Sequence, residues 1–341
     1  MPGLPCIHQI SISAYRYNVS VYGARIVDLR QLRYFLAIVE EGSFTRAAQR
    51  VNVAQPALSL HVRNMEEALG TPLLLRAPQG VTATEAGELL ARRARTLLMD
   101  LERTEEDLRS LGREPTGTVR LGLPGTISGI LSVPLIARCR ARYPKIKIVI
   151  AEAMSGFVRE WLLDGGVDLA VLYAELREAG VRSEPLLDEE LVMLAPPEHA
   201  GARPTPLDHL ADIPLILPSG AHGLRAMLEE KLRAKGILVA PDIEVDSYSN
   251  IKRLVEQGYG CSVLPFHAVA QEAAAGRLSV SPFDAPGLWR RTYLAHTTAR
   301  PLTRAASAVS EILTTVSAEL IADGTWAGAQ PIATKAADTN S

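Results

Sequence analysis

Gln55, Pro56, Ala57, Ser59, His61 and Arg63 gather within nine residues the side chains that read base edges and phosphates. An amide pairs bidentately with adenine, and a proline ring or an alanine methyl can touch the methyl of thymine. Hydroxyl, imidazole and guanidinium groups bond to bases or to phosphate oxygens, although a solvated histidine accounts for His61 equally well. Thr45, Arg46, Arg63 and Arg76 carry the chemistry of phosphate contacts.

Such chemistry must be presented by a helix. Residues 43–70 split into two short helical patterns joined by Asn52-Val53-Ala54-Gln55. Ser43 suits an N-cap, and Phe44, Ala47, Ala48 and Val51 make one apolar stripe. Pro56 suits a first helical position, where its missing N–H leaves nothing unpaired. Ala57, Leu58, Val62, Met65 and Leu69 recur at spacings of three and four and describe a second stripe. Two short helices with a tight turn form a helix-turn-helix whose second helix enters the major groove. A helical hairpin used only for packing has the same pattern.

The flanking segments favour the reading arrangement. From Asp28, an N-cap, Leu29, Leu32, Phe35, Leu36 and Val39 follow on one helical face that ends at Glu40-Glu41-Gly42. After residue 70, two short extended stretches surround Ala77-Pro78-Gln79-Gly80, which predicts a hairpin wing. A long helix then runs from 85 to about 111, with Leu90, Ala94, Leu97, Leu101, Thr104, Leu108 and Leu111 spaced by four and three. That heptad seam predicts pairing with a second copy through Leu90, Leu97, Leu101 and Leu108. An amphipathic helix lying on its own domain is the alternative. A two-fold pair would present two reading helices roughly 34 Å apart.

The chain of 341 residues has room for two or three domains, and a net charge of −2 excludes a strongly basic nucleic-acid coat. Residues 28–80 hold six arginines against five acids, so binding there depends on where the charges sit. Cys6, Cys139 and Cys261 are scattered, without CxxC spacing, and read as reduced core thiols rather than a disulfide framework or a zinc site. Residues 1–27 lack the basic and apolar regions of a signal peptide and read as a loosely ordered arm, with Val27 as an alternative translation start. No run reaches the roughly 18 apolar residues of a membrane span.

The run LRQLRYFLAIVEEGSFTRAAQRVNVAQPALSLHVRNMEEALGTPLLLR, followed by TATEAG, resembles the N-terminal domain of LysR-type transcriptional regulators along nearly its whole length. Leu75 stands where that family usually has Phe, and Met65 and Ala83 stand where it usually has Leu. Gln79 replaces a basic residue common at the wing tip, which weakens phosphate attraction there. The resemblance implies a double-stranded DNA partner, a homodimer or homotetramer, a small-molecule effector, a cytoplasmic location, and RNA polymerase as a further partner.

From residue 118 strands and helices alternate, which predicts a parallel sheet with helices on its faces. Ligands in such sheets bind beyond the carboxyl ends of strands, which points to loops 124–128, 154–156, 218–223 and 246–249. Gly125, Thr126, Ser128, Ser155, Ser219, His222 and Ser247 are the candidate effector contacts there. Loops that lead into helices favour a carboxylate or phosphate, although N-caps and turns alone explain any single one of them. His222 and Arg225 can add positive charge, with a plain surface role the alternative for Arg225, and Asp168 suits a strand start. The resemblance extends to this part, which looks like an effector-binding domain of periplasmic-binding-protein type.

The expected architecture is therefore α+β and multidomain: an arm (1–27), a winged helix-turn-helix (28–84), a linker helix (85–112), a hinge (113–118), a two-lobed α/β effector domain (119–323) and a flexible tail (324–341). Lobe I takes about 119–188 and 297–323, and lobe II about 189–296. No catalytic motif such as GxSxG or HExxH occurs, so no enzymatic activity, metal or cofactor is expected. A solute-binding protein or an α/β enzyme without a DNA role is the competing function.

Overall fold

A computed structural model describes residues 27–112, 114–199, 204–220 and 222–332. The arm before Val27, the hinge residue Arg113 and the tail beyond residue 332 lie outside the described residues. The chain forms two compact units that meet at Leu98 and Met99, inside the long helix.

In the first unit, α1 (Leu29–Glu41) opens with a capping box: Gln31 N–H donates to Asp28 Oδ1 over 2.7 Å, and Asp28 N–H donates back to Gln31 Oε1 over 2.9 Å. Next come α2 (Phe44–Arg50), capped by Ser43, and α3 (Gln55–Leu69). Pro56 is the second residue of α3 and not the first; its missing N–H is still one of those with no helical partner. Strands β1 (Leu74–Ala77) and β2 (Gly80–Ala83) form the antiparallel wing, and α4 spans Glu85–Ser110. Phe35 and Ile38 of α1, Ala47 of α2, and Leu58, Val62 and Met65 of α3 fill one core with Ala91, Ala94 and Leu98 of α4. Two residues expected in the buried stripe of α3, Ala57 and Leu69, are exposed. Gly80 has φ 141°, and a Cβ there would lie 2.8 Å from the Gly42 carbonyl oxygen, so the wing turn seats against the end of α1 only as glycine.

The second unit contains β3 (Gly117–Pro124), α5 (Gly125–Arg142), β4 (Ile146–Ala153), α6 (Ser155–Leu163), β5 (Leu169–Leu172) and β6 (Val181–Ala195). It continues with β7 (Ile216–Leu217), α7 (Gly223–Arg233), β8 (Ile243–Glu244), α8 (Tyr248–Glu256), β9 (Ser262–Pro265), α9 (Ala270–Ala274), β10 (Ser279–Ser281), β11 (Leu288–Thr297), α10 (Arg304–Ala322) and β12 (Ala329–Gln330). The sheet is mixed, which corrects the parallel expectation. β3 is parallel to β4 and β5, whereas β6 and β11 run antiparallel to each other over their length, in the order β10-β6-β11-β5-β3-β4.

β6 and β11 are the two strands that cross between lobes. One end of the pair packs with Leu121, Leu131, Val171 and Leu313 of lobe I, and the other with Val192, Leu228, Ile251 and Val263 of lobe II. α10 has the length and hydropathy of a membrane span by composition, but its Val309, Leu313 and Val316 are buried in the lobe I core. The expected flexible tail is partly built into this unit. Trp326 is buried and β12 pairs with β6, because an indole and a short extended segment cover apolar surface beside the crossing strands.

Candidate DNA-reading surface and effector cleft

The first surface is the outer side of α3. Gln55, Pro56, Ala57 and Arg63 are exposed and Ser59 is half-buried, opposite the buried Leu58, Val62 and Met65. Gln55 Nε2 donates to Ser59 Oγ over 3.1 Å, and Arg63 pairs with Glu67 at 2.8 Å. His61 does not join them: its ring packs 5.2 Å from that of Tyr34, at the α1 contact. Thr45 and Arg46 are exposed at the start of α2, where Arg46 holds the Glu41 backbone oxygen. The Arg76 guanidinium lies 4.4 Å over the Phe44 ring, which aims the wing's basic residue beside α2.

One contact was illegible from the local pattern. Glu66 Oε1 accepts from the N–H groups of Leu73 and Leu74 over 2.8 and 3.1 Å, locking the wing to the end of α3.

On α4 the proposed seam divides. Leu90 and Ala94 pack into the unit's own core, whereas Leu97 and Leu108 are exposed and Leu101 is half-buried. Leu90 thus makes an intramolecular contact as a half-buried residue. Leu89 and Leu111 are also exposed.

The second surface is a cleft of about 460 Å³ between the lobes of the second unit, lined on one side by Gly125, Glu152, Met154, Ser155 and Tyr173 and on the other by His222, Asp246, Ser247, Tyr248 and Ser249. Gly125, Ser155, His222 and Ser247 of the expected contacts are thus brought together. Thr126, Ser128 and Ser219 are turned to other partners. The Thr126 hydroxyl bonds the Tyr173 phenol at 2.6 Å and accepts from Arg290 Nη2 at 3.2 Å. Ser128 bonds Ser132, and the Ser219 N–H and hydroxyl both donate to Asp246.

Behind the cleft lies a buried polar cluster that sequence spacing did not reveal. Arg290 Nε donates to Glu189 Oε2 over 2.7 Å, and the guanidinium lies 3.7 Å over the Tyr173 ring. The other Glu189 oxygen accepts from Trp326 Nε1 at 3.1 Å and lies 3.2 Å from His267 Nδ1. Burial alone would lower the Arg290 pKa, but Glu189 and the phenols of Tyr173 and Tyr248 raise it, so the guanidinium stays charged.

His222 caps α7 by accepting the Leu224 N–H at Nδ1 over 3.2 Å, which leaves Nε2 to face the Tyr248 hydroxyl at 3.3 Å. Burial, helped by Arg290 and opposed by Asp246, pushes its pKa down. A neutral imidazole replaces the expected positive charge. Arg225 is buried and paired with Glu229 and Glu244, so it is neither a free charge nor a plain surface residue. Asp168 does secure a strand start, accepting the Arg120 N–H at 2.7 Å.

Cys139 and Cys261 sit in the cores of different lobes. Burial raises both thiols, Cys139 to about 11, so neither is poised as a thiolate. Among the described residues no group of His, Cys, Asp and Glu could hold a metal ion.

A winged helix-turn-helix followed by a two-lobed α/β domain with an interlobe cleft defines a ligand-responsive DNA-binding regulator. Residues 29–88 match the bacterial regulatory helix-turn-helix protein family of lysR type, and residues 112–318 match the LysR substrate binding domain. The chain belongs to the LysR family of transcriptional regulators. It is 32% identical to the nitrogen assimilation regulatory protein nac of Klebsiella aerogenes over 288 residues, 84% of this chain and 94% of that one. It is 34% identical to a probable hydrogen peroxide-inducible genes activator of Streptomyces viridosporus, over 79% of this chain and 87% of that one. Full-length OxyR from Pseudomonas aeruginosa superposes with a TM-score of 0.66 at 28% identity, covering 84% of this chain and 97% of that one. CbnR in complex with its target DNA shares the fold, with a TM-score of 0.63 at 20% identity, covering 85% of this chain and 99% of that one.

Proposed function

We propose that this regulator reads its operator as a homodimer or a dimer of dimers, and that it responds to a small carboxylate effector held in the interlobe cleft. Gln55, Pro56, Ala57 and Ser59 meet base edges, while Thr45, Arg46, Arg63 and Arg76 meet phosphates. The exposed Leu97 and Leu108 and the half-buried Leu101 of α4 carry the pairing between copies. RNA polymerase is the downstream partner, the protein works in the cytoplasm, and its output comes from binding without catalysis.

The observation that carries the effector reading is the pair of helix starts at the cleft. α5 and α6 begin there behind Pro124 and Met154, which offer no side-chain cap, so their first N–H groups are left for a ligand carboxylate. Glu152 and Asp246 in the lining favour hydrogen-bond donors, hydroxyl or ammonium, on the rest of that ligand. A ligand that binds one lobe arrangement better than another shifts the population, and with it the geometry offered to DNA.

The test is a thermal-shift screen of hydroxy and amino carboxylates on the wild-type protein and on Ser155→Trp, which fills the cleft. Stabilisation of the wild type alone is expected. Equal stabilisation of both proteins, or of neither, would overturn the assignment.

A further inference from the structure

We propose that Leu60 determines operator sequence by seeking a thymine 5-methyl group in the major groove. This rests on the reading that the outer side of α3 enters that groove. Leu60 is 57% exposed in the middle of α3, between Leu58 and Val62, which are fully buried, whereas the other exposed leucine of the helix, Leu69, is its last residue. At 100° per residue it points nearly opposite Leu58, Val62 and Met65 and shares a side with Pro56, four residues earlier. The outer side of α3 therefore carries two adjacent ridges. One is polar: Gln55, Ser59 and Arg63, spaced by four and tied at its start by the Gln55–Ser59 hydrogen bond. The other is apolar: Pro56 and Leu60, both exposed.

The bases present one apolar group in the major groove, the thymine methyl. Leu60 can neither donate nor accept a hydrogen bond. A cytosine facing it would lose water from its exocyclic amino group with no replacement, which costs more than the lost methyl contact alone. Gln55 beside it has the amide for adenine. The two residues are five apart, about 7.5 Å along the helix, or roughly two base-pair steps when the helix follows the groove. The paired ridges select an adenine and a thymine within neighbouring base pairs, which makes the half-site rich in A·T.

The full-length protein is used to select duplexes from a random-sequence library, and the enriched duplex is resynthesised with uracil replacing thymine one position at a time. Uracil removes only the methyl. The expected result is one position per half-site where uracil weakens binding roughly fourfold, the weight of one buried methylene. Leu60→Ala should abolish that penalty, and Leu60→Met, which keeps an apolar tip, should retain it. The same penalty in Leu60→Ala as in the wild type, or the same selected motif, would overturn the proposal. So would a changed oligomeric state of Leu60→Ala, since the exposed leucine would then be a self-association contact. Gln55→Ala separates the two levels: an altered motif with Gln55→Ala but not with Leu60→Ala rejects Leu60 alone, whereas no change with either rejects the groove-reading side of α3.

Discussion

Arg290 and Glu189 are register partners on the antiparallel strands β11 and β6, joined Nε to Oε2 over 2.7 Å with each side chain 1% exposed. They sit where both strands pass from one lobe to the other, and Glu189 also receives the Trp326 indole. A buried pair of this kind is costly to break from one side, because the remaining charge is stranded without water.

Arg290→Met and Glu189→Gln should each lower unfolding free energy by about 3 kcal/mol or more. The double variant Arg290→Met with Glu189→Gln should lose much less than the sum, since no charge is then left buried. Urea denaturation of the two single variants and the double variant decides this. Additive losses would show that the two residues act independently.

Across the cleft, Ser155 Oγ would lie 2.5 Å from a Cβ placed on Gly223. The start of α6 in lobe I thus lies beside the start of α7 in lobe II, with the Ser155 hydroxyl as the nearest atom. Gly223→Ala should destabilise the protein by about 1–3 kcal/mol through overpacking, and should weaken the response to effector by holding the lobes apart. Adding Ser155→Ala removes the clashing oxygen and should restore most of the loss, because the Ser155 Cβ is 3.8 Å from the added carbon. Failure of the second change to rescue the first, measured by thermal unfolding, would mean that the contact does not limit closure.

Stability should fall as the solution is acidified through the ordinary histidine range. Burial lowers His222, with Arg290 assisting and Asp246 opposing; it lowers His267 as well, again with Arg290 assisting and Glu189 opposing. Unfolded, both imidazoles take up a proton near pH 6.5, so just below that value the unfolded chain binds more protons than the folded one. Stability is complete above this range and declines as pH falls toward the depressed folded values. Protonation of His222 Nδ1 also removes the cap on α7. Denaturation midpoints measured from pH 7.5 to 5 should decline, and His222→Asn with His267→Gln should flatten the decline over that window. An unchanged slope in the double variant would assign the pH dependence elsewhere.

Much of the first unit was legible because its chemistry is local. The Asp28 and Ser43 caps, the turn at residues 52–54, the wing turn at Gly80 and the three-and-four spacing of Leu58, Val62 and Met65 act within a few residues of one another. His61 was ambiguous, because its partner Tyr34 lies on another helix. The 15-residue strand β6 is not legible in the local pattern, since Pro185 and the charged residues Arg182, Glu184, Asp188, Glu189 and Glu190 break the apolar run that marks a strand. Asp188 and Glu189 are tolerated because β11 brings Arg291 and Arg290 opposite them.

Within the expected flexible tail, residues 324–332 depart from that expectation for a similar reason. Composition reports the average tendency of a segment, and the single indole of Trp326 outweighs it by burying against the crossing strands.

The amino-acid sequence by itself determined the order of elements in the first unit, the presence of a DNA-reading helix and the four loops that meet at the cleft. Helix periods, caps and turns are short-range, and strand–helix alternation constrains where a ligand can sit. Tertiary structure decided what those loops offer. It turned Thr126 and Ser219 toward other side chains, made His222 a neutral cap, and set Glu189 and Arg290, 101 residues apart, into one buried pair. The strength of such interactions depends on which atoms share a dry interior, and only the folded chain establishes that.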